Sequence, residues 1–272
     1  MKVAALQMVS GMEMSCNLQD ALDLIAAAAD HGCELLALPE YFCLLGARDS
    51  DKLQIAEQEG NGPMQSALAQ AARAHGVWLV AGTIPLKSEM PERVFNSSLV
   101  YNPQGEQVAR YDKIHLFSFK QGQEQYDESR VLCAGSQNVA FDLPSRDGNT
   151  WRVGLSVCYD LRFPELYRAL AADVLLVPSA FTHTTGQAHW ELLLRTRAIE
   201  NQAYVIAPAQ GGEHANGRRT WGQSMVVDAW GTVLAQKATG AGAVMTVLDW
   251  AQMQMRRDQL PALRHRSSPD KL

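Results

Sequence analysis

The chain lacks the long apolar run that a membrane crossing needs: nothing in its 272 residues approaches the ~18 consecutive apolar side chains of a spanning helix. It also lacks a basic stripe. Lys plus Arg number 24 against 29 Asp plus Glu, a formal net charge of −5 at pH 7, and no basic segment carries interleaved aromatics, so neither nucleic acid nor a membrane is an expected partner. The opening Met1-Lys2-Val3-Ala4-Ala5-Leu6-Gln7 turns polar too early for a secretory leader, and a cytoplasmic location is expected. Cysteine is scarce and poorly spaced for structural work. Cys16, Cys33, Cys43, Cys133 and Cys158 form an odd set with no C-x-x-C pair, which signals neither a disulfide framework nor a thiolate zinc site. No H-E-x-x-H pattern links the histidines, so no metal and no cofactor is expected. A break is missing as well: no linker, composition shift or internal repeat divides the chain, which predicts one domain over 1–265 and a loose polar tail over 266–272.

What is present is an alternation of apolar runs and helical spacings. A strand is predicted over 3–8, after which Asn17 reads as the cap of a helix whose Leu18, Leu22, Ile25 and Ala29 recur at helical spacing until Gly32. Leu35-Leu36-Ala37-Leu38 predicts a buried strand ending at Pro39-Glu40, Gly62-Pro63 opens a helix that Gly76 closes, and 77–83 is again strand-like. From Asn96 the signals change to hairpins, 97–101 with 107–111 and 139–143 with 151–157. Alternation resumes with a helix over 163–171, a strand over 174–177, a helix over 188–202 and a strand over 204–207. A hairpin at 225–228 and 232–236 and a strand over 244–248 follow. An α/β fold of mixed sheets flanked by helices is expected.

Three residues in this pattern could carry chemistry. Cys158 ends the apolar run Val153-Gly154-Leu155-Ser156-Val157 and precedes Tyr159-Asp160-Leu161-Arg162-Phe163-Pro164-Glu165. A strand there delivers a thiol to a strand-to-helix turn, where free N–H groups and the helix dipole favour a thiolate. A cysteine so placed also serves simply to fill a core, and its partners must decide. Glu40 ends a strand beside Pro39, Tyr41 and Phe42, as a general base or as an acid facing water. Lys113 leaves a hairpin strand in Tyr111-Asp112-Lys113-Ile114-His115-Leu116-Phe117. A thiol, a carboxylate and a fixed cation are the parts needed to attack an amide and hold its oxyanion. In open α/β sheets, strand ends share a crevice where residues distant in sequence meet.

The segments around Glu40, Lys113 and Cys158 resemble the nitrilase superfamily of carbon–nitrogen hydrolases, whose signature is a Glu-Lys-Cys triad, and the resemblance runs over 1–265 in the family's order. It implies a four-layer αββα sandwich with mixed sheets, association into a homodimer or higher homo-oligomer, and a small-molecule amide as substrate. It further implies Cys158 as nucleophile, Glu40 as base and then acid, Lys113 as oxyanion stabiliser and the Tyr159 N–H as second oxyanion donor. Members carry another glutamate after the lysine; Glu128 matches it, orienting Lys113 or substrate, with Glu124 close enough to compete.

The segment 180–191 resembles one shared by two branches that act on linear amides of 2-oxo acids. One hydrolyses deaminated glutathione; the other, the omega-amidases, acts on 2-oxoglutaramate. Arg162 matches the position that holds the substrate carboxylate, its bland alternative being an ion pair with Glu165. Phe181, Thr184 and Thr185 are expected to line the pocket and the loop 118–128 to shape its entrance. Trp190, Leu193, Leu194 and Arg197 recur at helical spacing as packing, and His189 is expected to be structural. Stretches 206–214 and 222–228 resemble the deaminated-glutathione branch more closely, which is favoured. Omega-amidase activity, a catalytically silent scaffold and a Cys-His hydrolase built on His115, His183 or His189 stay open.

Overall fold

The computed structural model, which describes residues 1–122 and 124–267, begins with β1 (Lys2–Gln7) and α1 (Met14–Asp30). β2 (Leu35–Ala37), α2 (Pro63–His75) and β3 (Trp78–Val80) continue the alternation. β4 (Ile84–Lys87), β5 (Val94–Tyr101) and β6 (Gln107–Asp112) then fold back as antiparallel neighbours. A separate hairpin, β7 (Ser118–Gln121) with β8 (Glu124–Asp127), and the short β9 (Leu132–Cys133) lead to the second half. There β10 (Ala140–Pro144), β11 (Thr150–Leu155), α3 (Pro164–Leu170), β12 (Val174–Leu176), α4 (His183–Asn201) and β13 (Tyr204–Ala207) follow one another. β14 (Ser224–Val227), β15 (Val233–Lys237), β16 (Gly242–Val247) and α5 (Trp250–Gln259) complete the elements.

The strands form two mixed sheets. In the first the order is β16-β1-β2-β3-β5-β4, with β6 and β9 also on β5; in the second it is β10-β11-β12-β13-β14-β15. Each has a parallel heart of three strands, β1, β2 and β3 in one and β11, β12 and β13 in the other. The period-2 alternation of β1 shows how the layers stack. Ala4 and Leu6 pack with Ala21, Ile25 and Ala28 of α1 and Leu68 and Ala72 of α2. Val3 and Ala5 face the other way, into a core shared with Trp151, Val153 and Leu155 of β11. Trp78 of the first sheet stacks on Phe141 of the second, ring centroids 5.8 Å apart. Beyond the second sheet, Leu166 and Leu170 of α3 and Trp190 and Leu194 of α4 join the same core. The result is the four-layer αββα sandwich, and each buried Leu, Val or Phe contributes about 1.5–3 kcal/mol.

Local chemistry explains where the elements begin and end, and where the sequence-based expectation fails. Gly76 closes α2 in the left-handed conformation, as expected. Asn17 is not a helix cap. It lies inside α1, and its side chain instead ties Gly11 N–H at 2.7 Å and the carbonyls of Gly11 and Cys43, both at 2.9 Å. α4 starts at His183 rather than at 188, because Thr182 Oγ1 accepts from Thr185 N–H at 3.3 Å and caps it there. The β7–β8 hairpin, β4 and α5 were not expected; α5 buries only Met253, so it carries almost no apolar period to read. The part of the predicted tail over 268–272 lies outside the described residues. Among the described residues no helix is long and apolar enough to cross a membrane.

Candidate active site

Three strand ends deliver the reactive groups. β2 runs on into Leu38-Pro39-Glu40, with Leu38 N–H still donating to Val80 O at 3.0 Å. Beside it Gly82 has φ +53°, and a Cβ there would collide with the Pro39 carbonyl, so only glycine allows this approach. Lys113 follows β6 directly, its N–H donating to Asn96 O at 3.0 Å, and Cys158 lies just beyond β11. All three are buried, with 1% of Glu40, 1% of Lys113 and 8% of Cys158 exposed.

Lys113 Nζ donates to Glu40 Oε1 at 2.9 Å and to Glu128 Oε2 and Oε1 at 2.8 and 3.0 Å. The Glu40 carboxylate also accepts from Asn96 Nδ2 at 2.9 Å and from Ala180 N–H at 3.0 Å, and the Cys158 thiol hydrogen-bonds to it. Glu128 is held in turn by the Tyr41 hydroxyl and by Phe117 N–H, both at 2.7 Å. Of the two acids considered after the lysine, Glu128 meets it; the Glu124 side chain lies outside the described residues.

Cys158 sits in strained backbone. Its φ of +50° is a left-handed value that a residue with a Cβ adopts at a cost of about 1–3 kcal/mol, and the surroundings must impose it. They do so from two sides. Cys158 N–H donates to Pro178 O at 2.9 Å. Fully buried Asp160 accepts from Val157 N–H at 2.8 Å and from the Tyr111 hydroxyl at 2.7 Å on one oxygen. Its other oxygen accepts from His115 N–H at 3.0 Å and lies 2.7 Å from His115 Nδ1. Asp160 thus couples the turn that bears Cys158 to the segment that bears Lys113. Neither Asp160 nor Asn96 was singled out from sequence, because their work lies in contacts between distant segments. Tyr41, next to Glu40, is strained in the same sense at φ +54°, its N–H on Thr83 Oγ1 at 2.9 Å.

Electrostatics correct one expectation. Burial, reinforced by the Glu40 carboxylate, pushes the Cys158 thiol well above its ordinary range, so the resting sulfur is protonated rather than the thiolate that a helix start was expected to favour. Burial opposes charge on Lys113 too, but the Glu128 and Glu40 carboxylates outweigh it and hold the ammonium well above the usual lysine value. At Glu128 burial works upward, yet the Lys113 charge and the hydrogen bonds prevail and keep its carboxyl low. The site is an ammonium between two carboxylates, beside a neutral thiol and a carboxylate able to take its proton.

Glu40, Glu128 and Cys158 floor a pocket of about 370 Å³ of non-atom space, its open mouth included. Tyr159, Arg162, Phe181 and Thr185 line it. Thr184 is exposed and does not; Thr182 lines the pocket instead. Arg162 makes no ion pair with Glu165 or any other acid among the described residues. Its guanidinium lies 3.3 and 3.4 Å from His189 Nδ1 and over the rings of Tyr159 and Phe181, 5.8 and 5.6 Å from their centroids. His189 therefore touches a pocket residue. None of His115, His183 and His189 lines the pocket: His115 stacks on Phe163 and His183 packs against Trp221. Sequence reasoning missed Arg218, which reaches the pocket from the loop between β13 and β14 and carries no local motif that would reveal it. Trp190, Leu194 and Arg197 are buried packing residues, Arg197 donating to Leu161 O at 3.1 and 2.8 Å behind the Cys158 turn. Among the described residues no cluster of three or more His, Cys, Asp or Glu could hold a metal ion.

Two helix-flanked mixed sheets, with a thiol, an ammonium and carboxylates meeting at their strand ends, define the nitrilase class of α/β hydrolases. The model of the carbon–nitrogen hydrolase family matches residues 2–257, and the chain belongs to that family. It is 41% identical over 269 residues to the deaminated glutathione amidase of Yersinia enterocolitica, covering 97% of this chain and 92% of that one. To the deaminated glutathione amidase of Homo sapiens it is 38% identical over 272 residues, covering 97% and 81%. Among solved structures it is similar to Saccharomyces cerevisiae Nit3, a member of branch 10 of the nitrilase superfamily. The TM-score is 0.86, with 27% identity, over 100% of this chain and 97% of that one.

Proposed function

We propose that this chain is an amidase that hydrolyses an amide of a 2-oxo acid through a thioester on Cys158, converting deaminated glutathione to 2-oxoglutarate and cysteinylglycine. The observation that carries the reading is the convergence of the Cys158 thiol, the Glu40 and Glu128 carboxylates and the Arg162 guanidinium on one pocket, with the Lys113 ammonium bonded to both carboxylates. The names of relatives at about 40% identity support the choice of amide.

Arg162 takes the 2-oxo acid carboxylate, with Phe181 and Thr185 as pocket walls. Glu40 takes the Sγ proton as the sulfur attacks the amide carbon; the protonated resting thiol makes that base necessary. An ammonium offers three N–H donors; one stays with each flanking carboxylate, and the one on the second Glu128 oxygen, the longest of the three contacts, turns to the developing oxyanion. Tyr159, second in the turn Cys158–Arg162, has an N–H without a partner inside that turn and serves as the other oxyanion donor. Glu40 then hands its proton to the departing amine as the C–N bond breaks. Water, losing a proton to Glu40, adds to the thioester carbon; the acid leaves and the proton returns to sulfur. Glu128 acts on Lys113, holding Nζ toward the reacting carbonyl. The same reading takes 1–265 as a single hydrolase domain working as a homodimer or higher homo-oligomer in the cytoplasm.

The test is a comparison of kcat/KM for deaminated glutathione and 2-oxoglutaramate. A preference for 2-oxoglutaramate of tenfold or more, about 1.4 kcal/mol in transition-state binding, replaces this reading with an omega-amidase. Iodoacetamide labelling that picks out no single thiol favours a silent scaffold.

A further inference from the structure

The pocket holds a second guanidinium that this mechanism does not use. Arg218 lines the same space as Cys158 and Arg162, with 26% of its side chain exposed. Among the described residues its one ion pair is a long contact, 3.8 Å from Nη1 to Asp49 Oδ1. Its charge lies over the Tyr126 ring, 5.2 Å from the centroid. A guanidinium has five N–H donors, and one distant carboxylate leaves most of them for something else.

The loop that carries it is built in. Buried His214 lies 2.9 Å from Ser10 O through Nδ1 and 2.7 Å from Thr220 Oγ1 through Nε2. Asn216 Nδ2 donates to the carbonyls of Leu45 and Gly46 at 3.1 and 2.7 Å, and Asn216 Oδ1 accepts from Arg218 N–H at 2.9 Å. The Arg218 backbone is thus tied to the first half of the chain, and the cation reaches the pocket already positioned, which lowers the entropic cost of using it.

Charge balance suggests its task. At the floor one ammonium offsets one of two carboxylates, leaving a single negative charge. Arg162 offsets that charge, and Arg218 adds a further positive group to the pocket lining, with only the long Asp49 contact against it among the described residues. A substrate with one carboxylate occupies one guanidinium; an amide flanked by a carboxylate on each side occupies both. We propose that Arg218 is a carboxylate subsite for the leaving-group side of the substrate, reading the terminal carboxylate of the amine product while Arg162 reads that of the 2-oxo acid. The proposal rests on the amide reading above and narrows it to dicarboxylate amides.

Four rates test it: wild type and Arg218→Ala, each on deaminated glutathione and on the analogue whose glycine carboxylate is capped as an amide. In the wild type, capping is expected to lower kcat/KM at least about tenfold, or about 1.4 kcal/mol. In Arg218→Ala the same capping costs less than about threefold, and Arg218→Lys, which keeps the charge without the planar fork, falls between the two. Each ratio is taken within one enzyme preparation, so a smaller folded fraction cancels. An equal penalty in wild type and Arg218→Ala overturns the subsite while leaving the amide reading intact. A wild type that turns over neither deaminated glutathione nor 2-oxoglutaramate overturns the amide reading and the subsite with it.

Discussion

The floor and the rim of the pocket treat charge in opposite ways. At the floor, the Lys113 ammonium lies 2.8–3.0 Å from the Glu40 and Glu128 carboxylates, and backbone N–H groups, Asn96 and Tyr41 take up carboxylate oxygens. At the rim, Arg162 and Arg218 lean on aromatic faces and, among the described residues, pair only with a histidine and a distant aspartate. The floor hangs from strand ends of both sheets; Arg218 comes from a loop. A floor whose dipoles are paired before substrate arrives needs no reorganisation as charge develops. Rim cations without a close carboxylate keep most of their donors for the ligand. The proposed mechanism thus places chemistry in the scaffold and recognition in what is hung on it.

Removing a charge from the floor should break this contrast most severely. Lys113→Ala leaves two buried carboxylates without their cation, and it is expected to abolish turnover while lowering stability by about 3–5 kcal/mol in denaturant titration. Retention of most activity would transfer the chemistry to a Cys-His pair. Glu40→Gln keeps the shape and some of the hydrogen bonds but loses the base; kcat should drop by about 10²–10⁴-fold with the fold retained by circular dichroism. At the rim the cost should fall on substrate alone. Arg162→Ala is expected to lower kcat/KM by about 1.5–3 kcal/mol, the worth of a charged hydrogen bond, without moving the thermal midpoint. A matching loss of stability would erase the distinction between floor and rim. Thr182→Ala removes the cap of α4 and should cost about 1 kcal/mol of stability, seen as a lowered midpoint in calorimetry. The smallest effect is one of pH. Because Lys113 is held above its usual value, the ammonium persists as pH rises, and kcat should stay flat between about pH 8 and about pH 10. A descending limb centred at the ordinary lysine value would mean that the floor is less tightly paired.

The floor was far more legible in the sequence than the rim. Glu40 and Cys158 each end an apolar run and Lys113 leaves a hairpin strand, and strand ends in an α/β sheet face a common crevice, so local pattern carries their placement. The hairpins 97–101 with 107–111 and 139–143 with 151–157 were readable for the same reason. Thr182 could have been found as a cap, three residues before Thr185, had the helix not been started at 188. Arg218 had no such signal, since it joins the pocket through bonds that His214 and Asn216 make to Ser10, Leu45 and Gly46.

By itself the sequence determined much of the strand and helix alternation, the absence of a membrane-spanning apolar run and the candidate thiol, carboxylate and ammonium at strand ends, because periodicity and residue chemistry are local properties. Only the tertiary structure decided the state of those groups. Burial beside Glu40 keeps the Cys158 sulfur protonated, two carboxylates keep Lys113 charged, and Asp160 locks the strained turn that presents the thiol. Desolvation and Coulomb terms depend on what is packed within a few ångströms, and that neighbourhood is assembled from segments up to 140 residues apart, as between Glu40 and Ala180.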